Sequence, residues 1–116
     1  MEANDSFWNA IDKIVSESKM VIDRPKGTAH PRFSGFIYKV DYGYLDNTTS
    51  MDGGGIDVWV GTDERKQADA IICIVDLMKR DSEIKILIGC TEDEKELVYQ
   101  MHNETDYMKG ILIRRL

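Results

Sequence analysis

The sequence predicts an α+β fold: one domain over residues 1–116, a small, mostly antiparallel five-stranded β-barrel of OB-like form with flanking N- and C-terminal helices. Three observations carry this. Five or so short stretches show the two-residue alternation of a strand, clearest in 56–60 and 83–88. Glycine, proline, aspartate and serine clusters separate them. Stretches with helical spacing lie toward the two ends, an order that suits a small barrel with flanking helices. A chain of 116 residues can bury one core and is too short for two.

Taken in order, Phe7, Ile11, Ile14 and Val15 recur at helical spacing within 6–17, with Asp5 or Ser6 as cap. Residues 20–23 read as a short strand stopped by Arg24-Pro25, and the glycine- and proline-broken stretch 26–34 as a loop. Residues 35–44 alternate and are rich in aromatics, so the expectation is an extended segment with Tyr38, Val40, Tyr42 and Tyr44 on one face. A polar, glycine-rich loop runs to Gly55. In the strand 56–60, Ile56, Val58 and Val60 share one face, and Asp57 and Trp59 the other. Residues 70–79 read as a buried strand and Arg80-Asp81-Ser82 as a turn. Ile84, Ile86 and Ile88 then alternate with Glu83, Lys85 and Leu87, the pattern of a sheet with one face buried. Thr91 with Glu94 forms a capping box that opens a helix to about His102, and 108–113 is a last strand. Met78, Met101 and Met108 read as core.

Acidic residues outnumber basic ones, 21 to 15, for a formal net charge of −6. This argues against nucleic acid as the main partner, since its phosphates are held by basic surfaces. The longest apolar run, 70–75, is far short of a membrane span, and no apolar signal region opens the chain. Cys73 and Cys90 both border apolar runs and lack the pair spacing of a zinc site. The expectation is a cytoplasmic protein with reduced thiols and no membrane partner.

The chemistry concentrates in three segments. Asp52-Gly53-Gly54-Gly55-Ile56-Asp57 sets one carboxylate in a flexible turn and a second at the start of a strand. A hard cation such as Mg²⁺ takes oxygen ligands of this kind and keeps water and phosphate in its shell. Asp52-Gly53 alone also reads as a hairpin turn, and Asp57 as a solvated strand residue. Tyr38, Tyr42 and Tyr44 can donate to phosphate oxygens, or sit in the core with a wet hydroxyl. Glu83 and Lys85, two apart on one strand face, suit a metal beside a phosphate, or the exposed face of a hairpin. Residues 23–32 gather Arg24, Lys26, His30 and Arg32 into a basic loop that either neutralises an anion or is simply solvated.

With these residues in this order, the chain resembles the soluble family I inorganic pyrophosphatases, especially their short bacterial relatives. The resemblance runs from about Val21 to Ile88 and more weakly to Ile113. It is carried by Ile22-Asp23-Arg24-Pro25-Lys26-Gly27-Thr28 with His30-Pro31, by Tyr38-x-x-x-Tyr42-Gly43-Tyr44, by Asp52-Gly53-x-x-x-Asp57 and by Glu83-x-Lys85. It implies a five-stranded barrel with helices, and hydrolysis of pyrophosphate to two phosphates with several Mg²⁺ ions. It implies metal-binding roles for Asp52, Asp57 and Glu83, with Asp23 near a further acidic position. Phosphate-binding roles fall to Lys26, Tyr38, Tyr42 and Lys85.

The departures from that pattern bear on chemistry. Gly54 stands where the family's Asp-Gly-Asp-x-x-Asp signature has its middle aspartate, the one that helps activate the attacking water; the hydroxide must then rest on metals alone or on Asp41. Lys39 and Asp41 replace a proline and an asparagine of that motif. The family's phosphate-binding arginine has no counterpart at its spacing, leaving Arg32 or His30 as substitutes. The segment before Glu83 is shortened, so a family aspartate is either missing or replaced by Asp81, and Tyr107 with Lys109 is the counterpart of a C-terminal Tyr-Lys pair at a different spacing. The expected function is Mg²⁺-dependent pyrophosphate hydrolysis, weakened at Gly54, with Asp52, Asp57, Tyr42 and Asp41 as the catalytic set. Two alternatives accompany it: a non-catalytic phosphate- or nucleotide-binding module, and a hydrolase of another phosphoanhydride. Assembly as a homo-oligomer is compatible with either.

Overall fold

The structure, a computed structural model, describes residues 5–116, so the reading of the extreme N-terminus lies outside it. Helices α1 (Asp5–Ser16) and α2 (Glu92–Met101) accompany strands β1 (Met20–Arg24), β2 (Asp41–Leu45), β3 (Ile56–Val60), β4 (Ala68–Asp76), β5 (Asp81–Ile88) and β6 (Met108–Arg114). The strands form one sheet in the order β1-β2-β3-β5-β4-β6. Every neighbouring pair is antiparallel except β3 with β5. The α+β class stands, with two helices and a mainly antiparallel sheet among the described residues. The sheet is not closed: among those residues it has six strands where five were expected, and it ends on β1 and β6. The outer edge of β4, which a five-strand closure would use, is taken instead by seven register partners on β6, from Ala70 with Arg114 to Asp76 with Met108.

Both faces of this sheet are buried, where alternation alone suggested one. Val58, Val60, Ile71, Ile86 and Ile88 pack beneath Trp8 of α1. On the opposite face Trp59, Ile72 and Leu87 pack against Tyr38, Val40 and Tyr42, and against Val98 and Met101 of α2. Full burial of one such side chain contributes about 1.5–3 kcal/mol. The strand alternation therefore did not separate core from solvent; it sorted residues between two cores.

Three boundaries differ from expectation. Asp5 and Ser6 lie in the first turn of α1 and not before it. β4 stops at Asp76 because its Oδ1 accepts from the amides of Met78 and Lys79 at 2.9 and 3.0 Å, which turns the chain. Met78 is consequently exposed, whereas Met101 is buried and Met108 packs on the α2-side core. Only the end of the stretch 35–44 joins the sheet. The Tyr38 amide donates to the Thr28 carbonyl, the Gly27 amide to that of Tyr38, and the His30 amide to that of Phe36, so this segment folds back on the basic loop. The capping box at α2 is present as expected: Thr91 Oγ1 accepts from the Glu94 amide and the Glu94 carboxylate accepts from the Thr91 amide. No helix among the described residues is long and apolar enough to cross a membrane.

Candidate metal and anion site

Strand register assembles the polar cluster. Tyr42 is paired with Trp59 on one side and with Arg24 on the other, and Tyr44 with Asp57. Val58 is paired with Ile86, which brings Asp57 beside Lys85. Tyr42, Asp57 and Lys85 share the face that carries Trp59 and Leu87, opposite Val58 and Ile86. Asp52 comes from the preceding turn, where its Oδ1 accepts from Ser50 Oγ at 2.8 Å and from the Gly54 amide at 2.9 Å. Those two donors, the hydroxyl foremost, hold its carboxyl below the usual range.

Asp52, Asp57 and Glu83 each offer a carboxylate oxygen within 4.8 Å of the others. Lys85 is the cation among them. Its Nζ donates to Asp57 Oδ2 at 2.6 Å, to Glu83 Oε1 at 2.7 Å and to Tyr42 Oη at 2.6 Å. The residue is only 6% exposed. Burial pulls its pKa down, and Tyr42, Asp57 and Glu83 outweigh that, so the ammonium is held charged. Burial is also the main reason the Tyr42 phenol is pushed up and stays protonated. Three carboxylates and one ammonium leave a local charge of about −2, a donor set that suits a hard divalent cation.

A basic rim adjoins this centre. Arg24 donates to Tyr38 Oη at 2.5 Å, with its guanidinium carbon 5.7 and 5.8 Å from the Tyr38 and Tyr42 ring centroids. His30 accepts at Nδ1 from the Arg32 and Phe33 amides at 3.0 and 3.3 Å, which leaves its proton on Nε2. Burial first, then Arg24, Arg32 and Lys79, lower its pKa and keep it neutral. Lys79, on the β4–β5 turn, also helps to lower Asp52. The Lys26 amide donates to Asp41 Oδ1 at 2.7 Å, so Asp41 pins the basic loop to the start of β2.

Of the residues singled out from sequence, Asp52, Asp57, Glu83, Lys85 and Tyr42 come together, and Tyr38 joins them through Arg24. Asp23 is exposed and outside the three-carboxylate cluster. Lys26 and Arg32 are exposed on the loop. Asp81 faces Asp76 across the hairpin. The Tyr107 carbonyl accepts from the Leu77 amide and Lys109 Nζ donates to the Asn103 carbonyl at 3.4 Å; neither side chain joins the cluster. Arg24 is the residue that sequence reasoning underweighted, by ending the strand at Asp23. Its signal was parity with Ile22, which a bulge between the two then modifies. A concavity of about 1020 Å³ lies against α1 and is mainly apolar; it meets the polar cluster only at Ser50 and Glu83. The cluster combines charge with burial at Lys85, whereas the concavity is mainly apolar. Both cysteines are free, and burial first pushes the Cys90 thiol up to about 12, so it is inert. No family model matches the chain, and no curated protein matches it.

Proposed function

We propose that the protein is a Mg²⁺-dependent hydrolase of pyrophosphate, akin to the soluble family I inorganic pyrophosphatases. The observation that carries this reading is a buried ammonium, Lys85, in contact with Asp57 and Glu83 of a three-carboxylate cluster and bordered by Arg24. Lys85 is buried and paired, Asp57 and Glu83 are half-buried and Asp52 is exposed, so three carboxylates converge with one ammonium among them and the cluster opens to solvent at Asp52. The same reading takes β1, β2, β3, β5 and β4 as the counterpart of the family's five-stranded barrel, here open and extended by β6.

Asp52, Asp57 and Glu83 would hold the cation. Mg²⁺, when bound, would neutralise phosphate charge and make a water more acidic. Arg24 and Lys85 would grip the anion from the two sides of Tyr42, Arg24 with its planar fork. Tyr42, protonated at all working pH, can donate but cannot act as a base. His30, neutral with its proton on Nε2, can likewise donate one hydrogen bond. Asp41 is engaged by the Lys26 amide and serves better as a brace for the loop than as a base. In the reaction one water adds to one phosphorus, the bridging oxygen departs with the other, and two phosphates result.

Gly54 favours a second reading, a phosphate-binding module without turnover, since that position brings an amide to Asp52 and no carboxylate of its own. Phosphate release from pyrophosphate, measured with Mg²⁺ on the parent and on Asp57→Asn, separates the two. Hydrolysis is expected in the parent, dependent on Mg²⁺ and at least about 10²-fold lower in the variant, the loss expected on removing one element of a catalytic unit. Pyrophosphate binding without release would establish the module, and neither binding nor release would reject both.

A further inference from the structure

Lys85 has no hydrogen-bond donor left for a substrate. An ammonium carries three N–H groups, and Tyr42, Asp57 and Glu83 occupy all three at 2.6–2.7 Å. Tyr42 Oη and Asp57 Oδ2 both accept from this one ammonium, each at 2.6 Å, so Lys85 ties them together. A phosphate can reach Lys85 only when a carboxylate lets go. Conversely, a cation that takes oxygens of Asp57 and Glu83 meets the ammonium already seated on them.

From this geometry we propose that Lys85 is a displaceable counter-ion that makes metal and phosphate bind to the site together. This rests on the metal reading of Asp52, Asp57 and Glu83. A cation arriving alone must evict Lys85 from both carboxylates and leave a buried ammonium short of two partners, which is unfavourable. A phosphate arriving alone finds no free donor on Lys85 and an uncompensated local negative charge. When both arrive, the cation takes the carboxylates and the phosphate takes the two freed N–H groups, while Tyr42 keeps the third. Coupling of this kind is reciprocal: each ligand must strengthen the other by the same factor. Lys85 thereby holds the empty site neutralised in part and poised, and the anion is what releases it.

The test is Mn²⁺ binding followed by electron paramagnetic resonance, with and without inorganic phosphate, on the parent, Lys85→Met and Lys85→Arg. In the parent, phosphate is expected to tighten Mn²⁺ by at least about tenfold, within the usual range of coupling between sites. Lys85→Met should bind Mn²⁺ alone at least about tenfold more tightly than the parent and lose most of the phosphate effect. Lys85→Arg, which keeps the charge, should stay weak toward Mn²⁺ alone. Should Lys85→Met not fold, the unmutated protein still decides: phosphate must bind more tightly with Mn²⁺ than without. Equal and tight Mn²⁺ binding by parent and Lys85→Met overturns the displacement and leaves the metal site intact. Absence of Mn²⁺ binding by every form, with phosphate present, overturns both.

Discussion

Placing a carboxylate at position 54 is the sharpest test of the proposed hydrolysis. Gly54 tolerates it: an added Cβ meets only Asp52 Oδ1, at 3.3 Å, and the backbone there is outside the left-handed region. That contact asks a solvent-exposed side chain to yield a few tenths of an ångström. Loss of glycine flexibility in the unfolded chain gives back about 0.4–1 kcal/mol, so Gly54→Asp should fold with stability near the parent's. The new carboxylate would stand beside Asp52, close to where water meets the cation. A positioned base contributes about 10²–10⁴-fold, equivalent to lowering the barrier by about 2.7–5.5 kcal/mol. The assay is steady-state phosphate release from pyrophosphate at saturating Mg²⁺, with Gly53→Asp as control. That neighbour has φ +84°, so the control adds the same charge in a strained backbone and aims it elsewhere. The expected result is a rise in kcat of at least about 10²-fold for Gly54→Asp and none for Gly53→Asp. A folded Gly54→Asp with undiminished Mg²⁺ affinity and an unchanged kcat would refute the reasoning, as would an equal gain in the control.

Two further outcomes follow from the scaffold. His102 is buried, accepts at Nε2 from Trp59 Nε1 at 3.1 Å and sets Nδ1 3.2 Å from Met108 Sδ; burial first, and Lys85 second, lower its pKa to about 3. Below the ordinary imidazole value of about 6.5 the unfolded chain gains a proton that the folded one refuses, so stability should be full above about pH 6.5 and fall by up to about 1.4 kcal/mol per unit toward pH 3; urea unfolding across that range should show the slope, and His102→Gln should flatten it. Gly43→Ala would place a Cβ 1.8 Å from the Val21 carbonyl oxygen and 2.8 Å from Ile22 Cα, forcing β1 off β2. The expected loss is about 1–3 kcal/mol or more, read by urea unfolding, with weaker phosphate binding because Arg24 leaves with β1; a variant with parental stability would show that the strands can part without cost.

Much of this was legible in the chain. Period-two alternation placed Asp57 and Trp59 opposite Val58, and Lys85 and Leu87 opposite Ile86, because successive strand side chains point to opposite faces whatever the sheet does. Thr91 and Glu94 marked the start of α2, since a capping box is a local interaction. Asp52, Asp57, Glu83 and Lys85 were recognisable as residue types at telling spacings. Local chemistry stopped short at boundaries such as Asp76, where one side-chain oxygen caught two amides and ended a strand whose apolar pattern ran on.

Pairing was not legible. Nothing within either segment says that Val58 lies beside Ile86, in parallel, yet that register alone sets the Lys85 ammonium on Asp57. Nor does Arg24 announce itself, because its place against the Tyr38 and Tyr42 rings comes from lying opposite Tyr42 across β1 and β2. The open edge at β6 depends likewise on which strand claims β4. The sequence by itself determined which residues are extended, which faces they present and which charges are available; those follow from covalent geometry and neighbours along the chain. Tertiary structure decided which charges meet, because contact between residues 28 and 43 positions apart is set by the summed packing of two cores and by no local rule.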